Sequence, residues 1–260
     1  MENKEIKSKE GKYIYGIIRH HGAIEFGPIG IGKRGDIVYG INYKNICAVV
    51  SNSPVIQYEA RRANLTAHEL VLEKVMKQFP VLPVRFSTIA DTKDESGILK
   101  ILERDYDLLT KMLDYIEGKK ELGLKVIAIE EVIFDYILNK YPDIRNMKEK
   151  LIRLPPDKTY YQRMKIGELV ESALQNEKEA FKKQILDRLS PLAEGVRDND
   201  TYGDRMILNA SFLIFNEKEA DFDEAVNELD ELFGNILTFK YVGTLPPYNF
   251  VNMTINIDKN

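Results

Sequence analysis

The order of strand-like and helix-like patterns in the second half of the chain most constrains its fold. Runs rich in β-branched and aromatic residues predict strands at 122–129, 192–197, 206–215, 235–242 and 250–257. The first two are separated by helical patterns, the second and third by a turn, and the third and fourth by one helix. Strand, helices, strand, strand, helix and strand follow one another as in the ferredoxin-like fold, which we predict for residues 119–260.

The longest helical pattern of this half covers about residues 157–189. Asp157 follows two prolines and is a favourable N-cap, and apolar side chains recur near period 3.6, Phe181 and Ile185 among them. Glu177 is assigned to the opposite, charged side. Because a helix of this length exceeds the width of a small sheet, we expect part of it to project, with Phe181 and Ile185 as contacts for a partner.

The first half predicts an N-terminal α/β domain with a mostly antiparallel sheet, at residues 13–118. A meander of three strands is predicted at 13–18, 36–39 and 46–51, and an interior fourth strand at 81–86. Two amphipathic helices are predicted at 58–79 and 95–117. A chain of 260 residues exceeds a common domain of roughly 100 to 200, so we predict an α+β protein of two domains. Residues 1–12 alternate Lys and Glu, which predicts a flexible tail rather than a signal peptide.

Charge and cysteine content restrict the partners and the compartment. Lys and Arg total 37 against 41 Asp and Glu, and no segment is expected to concentrate positive charge strongly. Nucleic acid is therefore not expected as a partner, and neither is a lipid membrane. Cys47 is the single cysteine and lies in an apolar run, so we expect a core residue in a reducing, cytoplasmic environment.

The glycine-rich segment Gly27–Gly35 invites an enzymatic interpretation, because it contains both Gly-x-Gly-x-x-Gly and Gly-x-x-x-x-Gly-Lys. A strand rather than a helix is predicted after it, and Arg34 stands where the second motif needs Ser or Thr. We therefore interpret the glycines as turn residues. His68 has no further ligands at metal-binding spacing, so a structural or interfacial role is expected. The sequence predicts no catalytic residue, metal or cofactor, and hence no enzyme.

Two segments combine proline with aromatic residues: 81–88 contains Pro83, Arg85 and Phe86, and 239–250 contains Pro246, Pro247, Tyr248 and Phe250. Arg85 alternates with apolar neighbours. It is either a buried arginine that bridges carboxylates between the domains or a recognition residue for an acidic group of a partner. The second segment either locks the chain against the sheet or presents Tyr248 and Phe250 as exposed anchors for another protein.

These segments resemble the most recognisable signatures of the gas vesicle protein F/L family (GvpF/GvpL). The similarity runs from Tyr13-Ile-Tyr-Gly16 through Leu82-Pro-Val-Arg-Phe86 to Phe250. Two departures are visible: Ser87 stands where the family usually has glycine, and Thr244-Leu245 replaces a more usual proline and bulky residue. The resemblance also implies a ferredoxin-like second domain.

By this resemblance the chain would be a non-enzymatic, cytoplasmic accessory protein associated with gas vesicles. It would bind the small, very hydrophobic shell subunit, other accessory proteins or both, as a chaperone, a nucleator or a minor structural component. The alternative is a small-molecule regulatory module, because ferredoxin-like domains often bind effectors between strands and helices. Whether the chain is F-like or L-like stays open at this point.

Overall fold

A computed structural model of the chain describes residues 9–152, 154–155 and 159–251. It is a mixed α and β protein with two antiparallel sheets. The chain divides into two compact units: the first comprises the residues up to Lys120 and those from Thr244 onward, and the second comprises Glu121–Gly243. The C-terminal segment thus groups with the first unit, whereas the sequence assigned it to the second.

Among the described residues, the first unit contains a sheet of six strands and three α-helices. Its strands are β1 (Glu10–Arg19), β2 (Glu25–Gly27), β3 (Val38–Tyr43), β4 (Ile46–Pro54), β5 (Val81–Pro83) and β6 (Ile89–Ala90). Its helices are α1 (Arg62–Met76), α2 (Ser96–Arg104) and α3 (Tyr106–Ile116). The single helix predicted at 95–117 is therefore broken, at Asp105, whose backbone leaves the helical region (φ −100, ψ 10).

Strand β1 lies at the centre of this sheet. The strand order is β2-β3-β4-β1-β5, and β6 also pairs with β1. The predicted simple meander is therefore wrong, because β1 pairs with β4 rather than with the strand that follows it. The predicted interior strand at 81–86 is wrong as well: β5 ends at Pro83 and lies at the edge of the sheet, where a residue without an N–H is tolerated.

Both faces of this sheet are buried. A bulge at Tyr15 shifts the alternation of β1, so that Tyr13, Tyr15 and Ile18 pack with α1 while Ile14 and Ile17 pack with α2 and α3. Because two helical layers cover the sheet, every residue of β1 except its two ends is buried. Cys47 belongs to the α1 side, which confirms its predicted place in the core, and burial raises the pKa of its thiol to about 12.

In the described part of the second unit there are a sheet of four strands and four α-helices. Its elements are β7 (Lys119–Ala128), α4 (Glu130–Lys140), α5 (Pro142–Ile152), α6 (Tyr160–Leu189), β8 (Gly195–Asp198), β9 (Met206–Phe215), α7 (Glu219–Phe233) and β10 (Leu237–Leu245). The strand order is β10-β7-β9-β8. One hydrophobic core joins β7, β9 and β10 to all four helices.

Some sequence expectations fall at the limits of the described residues. The predicted N-cap Asp157 lies outside them, as do residues 1–8 of the predicted tail and 252–257 of the predicted last strand. Residues 10–12 belong to β1, so this part of the tail is ordered. Phe250 lies in a turn rather than in a strand.

Candidate functional site

The two proline-containing segments meet at His68, on the buried face of α1. His68 is 1% exposed, and its ring packs against Tyr15 in a stacked arrangement with centroids 5.6 Å apart. Phe86, from the first segment, meets the same ring edge-on at 5.8 Å. Tyr248, from the second segment, approaches within hydrogen-bond distance. The structure thus brings together residues that lie far apart in the sequence, all within the first unit.

A chain of hydrogen bonds runs through this cluster. The Ser87 N–H donates to the Tyr13 hydroxyl at 2.9 Å, and the Tyr13 oxygen lies 3.0 Å from His68 Nδ1. The other ring nitrogen, Nε2, lies 2.8 Å from the Tyr248 hydroxyl. The Tyr13 oxygen already accepts from Ser87, and its O–H finds an acceptor when it donates to Nδ1 of a neutral ring. In that arrangement the proton of His68 lies on Nε2 and is donated to Tyr248.

Electrostatics favour the uncharged form of every member of the cluster. Burial lowers the pKa of His68 to about 4, an effect that the Val84 backbone partly opposes. Burial also raises the pKa values of Tyr13 and Tyr248 well above the ordinary tyrosine range. At neutral pH the cluster therefore consists of a neutral imidazole between two neutral phenols. This arrangement favours a structural role for His68 over a role in acid–base catalysis.

Ser87 occupies a strained position at the end of the first segment. Its φ is +64°, in the left-handed region that favours glycine. Its N–H donates to Tyr13, and its Oγ accepts the backbone N–H of Tyr58 at 2.9 Å. The Ser87 backbone therefore contacts Tyr13 closely, although serine stands where the family usually has glycine. The serine hydroxyl adds a hydrogen bond, to Tyr58, that glycine could not make.

Substitutions at Ser87 should separate strain from hydrogen bonding. We expect Ser87→Ala to lower the free energy of unfolding by about 1 kcal/mol, because it keeps the positive φ and loses the bond to Tyr58. Ser87→Gly should stay close to the unsubstituted chain, because relief of about 1 kcal/mol of strain offsets the lost bond. Urea unfolding followed by far-ultraviolet circular dichroism measures both. An alanine variant at least as stable as the glycine variant would contradict this account.

The C-terminal segment forms a compact turn against this cluster. Pro246 and Pro247 are buried, and Tyr248 and Phe250 are half-buried. The Tyr248 N–H donates to the Pro246 carbonyl at 2.7 Å, and the Phe250 N–H donates to the Pro247 carbonyl at 3.1 Å. This geometry favours the locking role for the segment, since Tyr248 is already bonded to His68.

Arg85 is exposed, so its interpretation as a buried bridging arginine is wrong. The alternation assumed for it does not hold because β5 ends at Pro83. The Arg85 carbonyl accepts the Thr88 hydroxyl at 2.7 Å, which closes a turn and leaves the guanidinium outside the core. Its guanidinium forms no ion pair with a carboxylate among the described residues. Recognition of an acidic group stays a prediction for this residue.

The glycine-rich segment is a shaped loop between β2 and β3. Gly27, Gly32, Lys33 and Gly35 all have positive φ. The Ile31 side chain is buried, and its N–H donates to the Tyr15 hydroxyl at 2.8 Å, which anchors the loop to the sheet. A strand follows the loop, as predicted.

An open cavity of about 700 Å³, which we call the α1 groove, lies between this loop and the exposed side of α1. Its lining includes Pro28, Ile29, Ala67 and Leu70 as apolar residues and Lys33, Lys74, Lys77 and Glu73 as charged ones. Leu70 is 54% exposed although it is a large aliphatic residue. The groove therefore presents accessible apolar surface beside a loop that the hydrogen bond from Ile31 to Tyr15 anchors to the sheet.

The predicted contact residues Phe181 and Ile185 are not exposed. Both are buried in the core of the second unit, and the Phe181 ring meets Phe233 edge-on at 5.4 Å. The prediction that they form a partner contact is therefore wrong. The same apolar stripe that suggested a projecting surface is the face with which α6 packs on its own sheet and helices.

Glu177 is also buried, contrary to its assignment to the charged side. It accepts hydrogen bonds from Lys140 at 2.7 Å, from the Tyr141 hydroxyl at 2.8 Å and from the Tyr136 hydroxyl at 3.1 Å. Burial alone would raise the pKa of Glu177, but these bonds outweigh it, so the pKa is lowered. The sequence does contain the signal that was missed: Glu177 lies in the four-residue series of Ala173, Phe181, Ile185 and Leu189.

No group of three or more His, Cys, Asp or Glu side chains among the described residues is arranged to hold a metal ion. None of the helices in the described part of the chain is long and apolar enough to cross a membrane.

Comparison with known proteins identifies relatives of nearly full length. Gas vesicle protein F of Dolichospermum flosaquae is 28% identical over 246 residues, which cover 93% of this chain and 97% of the relative. Gas vesicle protein L of a Streptomyces species is 27% identical over 130 residues, 45% of this chain and 47% of the relative. The crystal structure of GvpF from Anabaena sp. superposes with a TM-score of 0.79 at 26% identity, covering 94% of this chain and 99% of that one.

The family described as "Gas vesicle synthesis protein GvpL/GvpF" matches residues 11–252, which include the β1 tyrosines, the segment around Arg85 and the turn that carries Tyr248. The chain therefore belongs to the GvpL/GvpF family of gas vesicle synthesis proteins.

Proposed function

We propose that this protein is a non-enzymatic accessory factor of gas vesicle assembly that binds the small hydrophobic shell subunit, other accessory proteins or both. Family membership supports a role in gas vesicle formation. The factor would act as a chaperone, a nucleator or a minor structural component. A cytoplasmic location beside the vesicles is part of this proposal, and the single cysteine, which needs no oxidising compartment, supports it.

Two finer assignments belong to the same proposal. The second unit is ferredoxin-like, an assignment supported by its element order and by the strand order β10-β7-β9-β8, which places the first strand of the unit between the fourth and the third. The chain is of the F type, which is supported by a match to protein F over 93% of its length against 45% for the L relative.

The α1 groove is the observation that carries the binding proposal. A hydrophobic subunit needs accessible apolar surface, and a groove whose loop is held by the Ile31 to Tyr15 bond requires little ordering on binding. Leu70 lines the groove from α1, and Leu65 extends the exposed apolar side of the same helix. Such a preformed groove can shield an apolar segment of another protein from water until assembly.

Co-expression with the small hydrophobic shell subunit tests this proposal. We expect affinity-purified protein to retain the subunit, and Leu70→Glu to reduce its recovery at least tenfold, because a carboxylate would be desolvated in the groove. The matched control is Leu232→Glu, on α7 of the other unit, where the leucine is 64% exposed. We expect the substitution at either exposed position to change the free energy of unfolding by less than about 0.5 kcal/mol.

The outcomes distinguish the parts of the proposal. Full recovery with Leu70→Glu would exclude the α1 groove as the binding surface. No recovery by the unsubstituted chain, against an unrelated soluble protein as background, would exclude shell-subunit binding itself. Equal losses with both glutamate variants would point to non-specific hydrophobic retention and would also count against the groove.

A further inference from the structure

A second groove lies among the helices of the second unit, between α5 and α6 above α4. We call it the α5–α6 groove; its volume is about 410 Å³ and its apolar lining includes Phe134, Leu138, Leu151, Ile166 and Val170. Phe134 is exposed although it lines a concave apolar surface. The groove belongs to one compact unit and shares no residue with the α1 groove.

Gly167 lies in the lining of this groove and is unusual for its position. It is an interior residue of a 30-residue helix, where glycine is about 1 kcal/mol less favourable than alanine. A Cβ placed on Gly167 would meet no heavy atom within 4 Å. Close packing in the free chain therefore does not explain the glycine, whereas close approach of another backbone would.

The groove is bordered by positive charge. Lys148 and Arg163 line it, and neither forms an ion pair with a carboxylate among the described residues. The stretch 145–165 contains seven Lys and Arg against two Asp and Glu, in a chain of net charge −4, so the expectation that no segment concentrates positive charge is wrong here. An apolar groove with a basic border is complementary to a ligand that is apolar on one side and acidic at its edges.

We propose that the α5–α6 groove binds an acidic amphipathic helix of another protein. Arg163, Ile166, Gly167 and Val170 follow the i, i+3, i+4, i+7 spacing and so lie on one face of α6 over about two turns. A helix laid along this face would place apolar side chains over Ile166 and Val170, approach closely at Gly167, and direct carboxylates to Lys148 and Arg163. A membrane surface is a poorer occupant, because most of the apolar lining residues form a concavity, although Ile152 at its edge is 69% exposed.

A charge-swap experiment tests this assignment on the full chain. The probe is a fluorescent 18-residue helical peptide with leucines on one face and glutamates along the edges of that face; a second peptide carries lysines in place of the glutamates. We expect the chain to bind the acidic peptide at least tenfold more tightly than the basic one by fluorescence anisotropy. The double variant Lys148→Glu, Arg163→Glu should reverse this preference, a gain that a misfolded variant could not produce.

The steric prediction is tested at Gly167. We expect Gly167→Leu to weaken binding of the acidic peptide at least tenfold while the fold is retained, because leucine favours the helix and fills the groove. The control is Gln162→Leu, on an exposed part of α6 outside the groove lining, which should bind as the unsubstituted chain does.

Several results would overturn the assignment: equal binding of the two peptides, unchanged binding by Gly167→Leu, or no exchange of preference in the double variant. Tighter binding of phosphatidylserine vesicles than of the acidic peptide, lost in the same variants, would assign the groove to an anionic lipid surface instead. None of these results affects the proposal for the α1 groove, which uses different residues and a different probe.

Discussion

Replacement of Phe181 by alanine is expected to lower the free energy of unfolding of the second unit by about 3 to 5 kcal/mol. The side chain is 4% exposed and packs between Tyr136, at a ring-centroid distance of 5.8 Å, and Phe233, at 5.4 Å. Truncation removes these contacts and leaves a cavity in the core shared by α4, α6 and α7. A loss of this size is comparable with the whole stability of many domains.

The control is Tyr161→Ala on the same helix, where the side chain is 80% exposed and the expected change is below about 0.5 kcal/mol. Urea unfolding by far-ultraviolet circular dichroism gives the total loss. Amide hydrogen exchange in β9 and α7 shows whether the loss belongs to the second unit. A Phe181→Ala variant as stable as Tyr161→Ala would restore the view that this part of α6 is an exposed contact surface.

Acidification is expected to destabilise the first unit through His68. Its pKa is about 4 in the folded chain and 6.5 as the reference value for an unfolded chain, so the unfolded state binds more protons between these two values. Stability must therefore fall as the pH drops through this window. Linkage gives a loss of about 2 kcal/mol between pH 7 and pH 5, and the effect saturates below pH 4.

His68→Gln isolates this contribution because glutamine does not titrate and can bond to both Tyr13 and Tyr248. We expect the variant to be less stable than the unsubstituted chain at pH 7 and to lose about 2 kcal/mol less between pH 7 and pH 5. Carboxylates titrate in both proteins, so the difference between the two pH profiles removes their effect. If the free energies of unfolding of the two proteins changed with pH in parallel, His68 would not be held neutral in the folded state.

The cluster around His68 also explains why the C-terminal segment belongs with the first unit. Tyr248 is separated from His68 by 180 positions along the chain, yet the two side chains share a hydrogen bond of 2.8 Å. The chain leaves β10, turns at Pro246 and Pro247, and returns to the α1 side of the first sheet. The domain boundary predicted from sequence followed the order of the strand patterns. That order contains no information on the return of the chain to the first sheet.

The sequence by itself determined the family and most of the element order. Proline and aromatic signatures around Arg85 and Tyr248 identified the family, and apolar periods of about two and 3.6 located most strands and helices, because backbone geometry imposes these periods locally. It also placed Cys47 in the core, since a short apolar run of this kind is seldom exposed.

Only the tertiary structure decided which side of each element is buried and by what. Glu177 is one of many charged residues on its helix, but Tyr136 and Lys140 on α4 and Tyr141 directly after α4 make its burial tolerable. Phe181 and Ile185 form an apolar stripe that fits an interface or a core equally well, and the sheet of the same unit covers it. Arg85 lies outside the core because the strand ends two residues before it. Periodicity describes one element at a time, whereas burial depends on partners distant in sequence, so no local pattern could supply these answers.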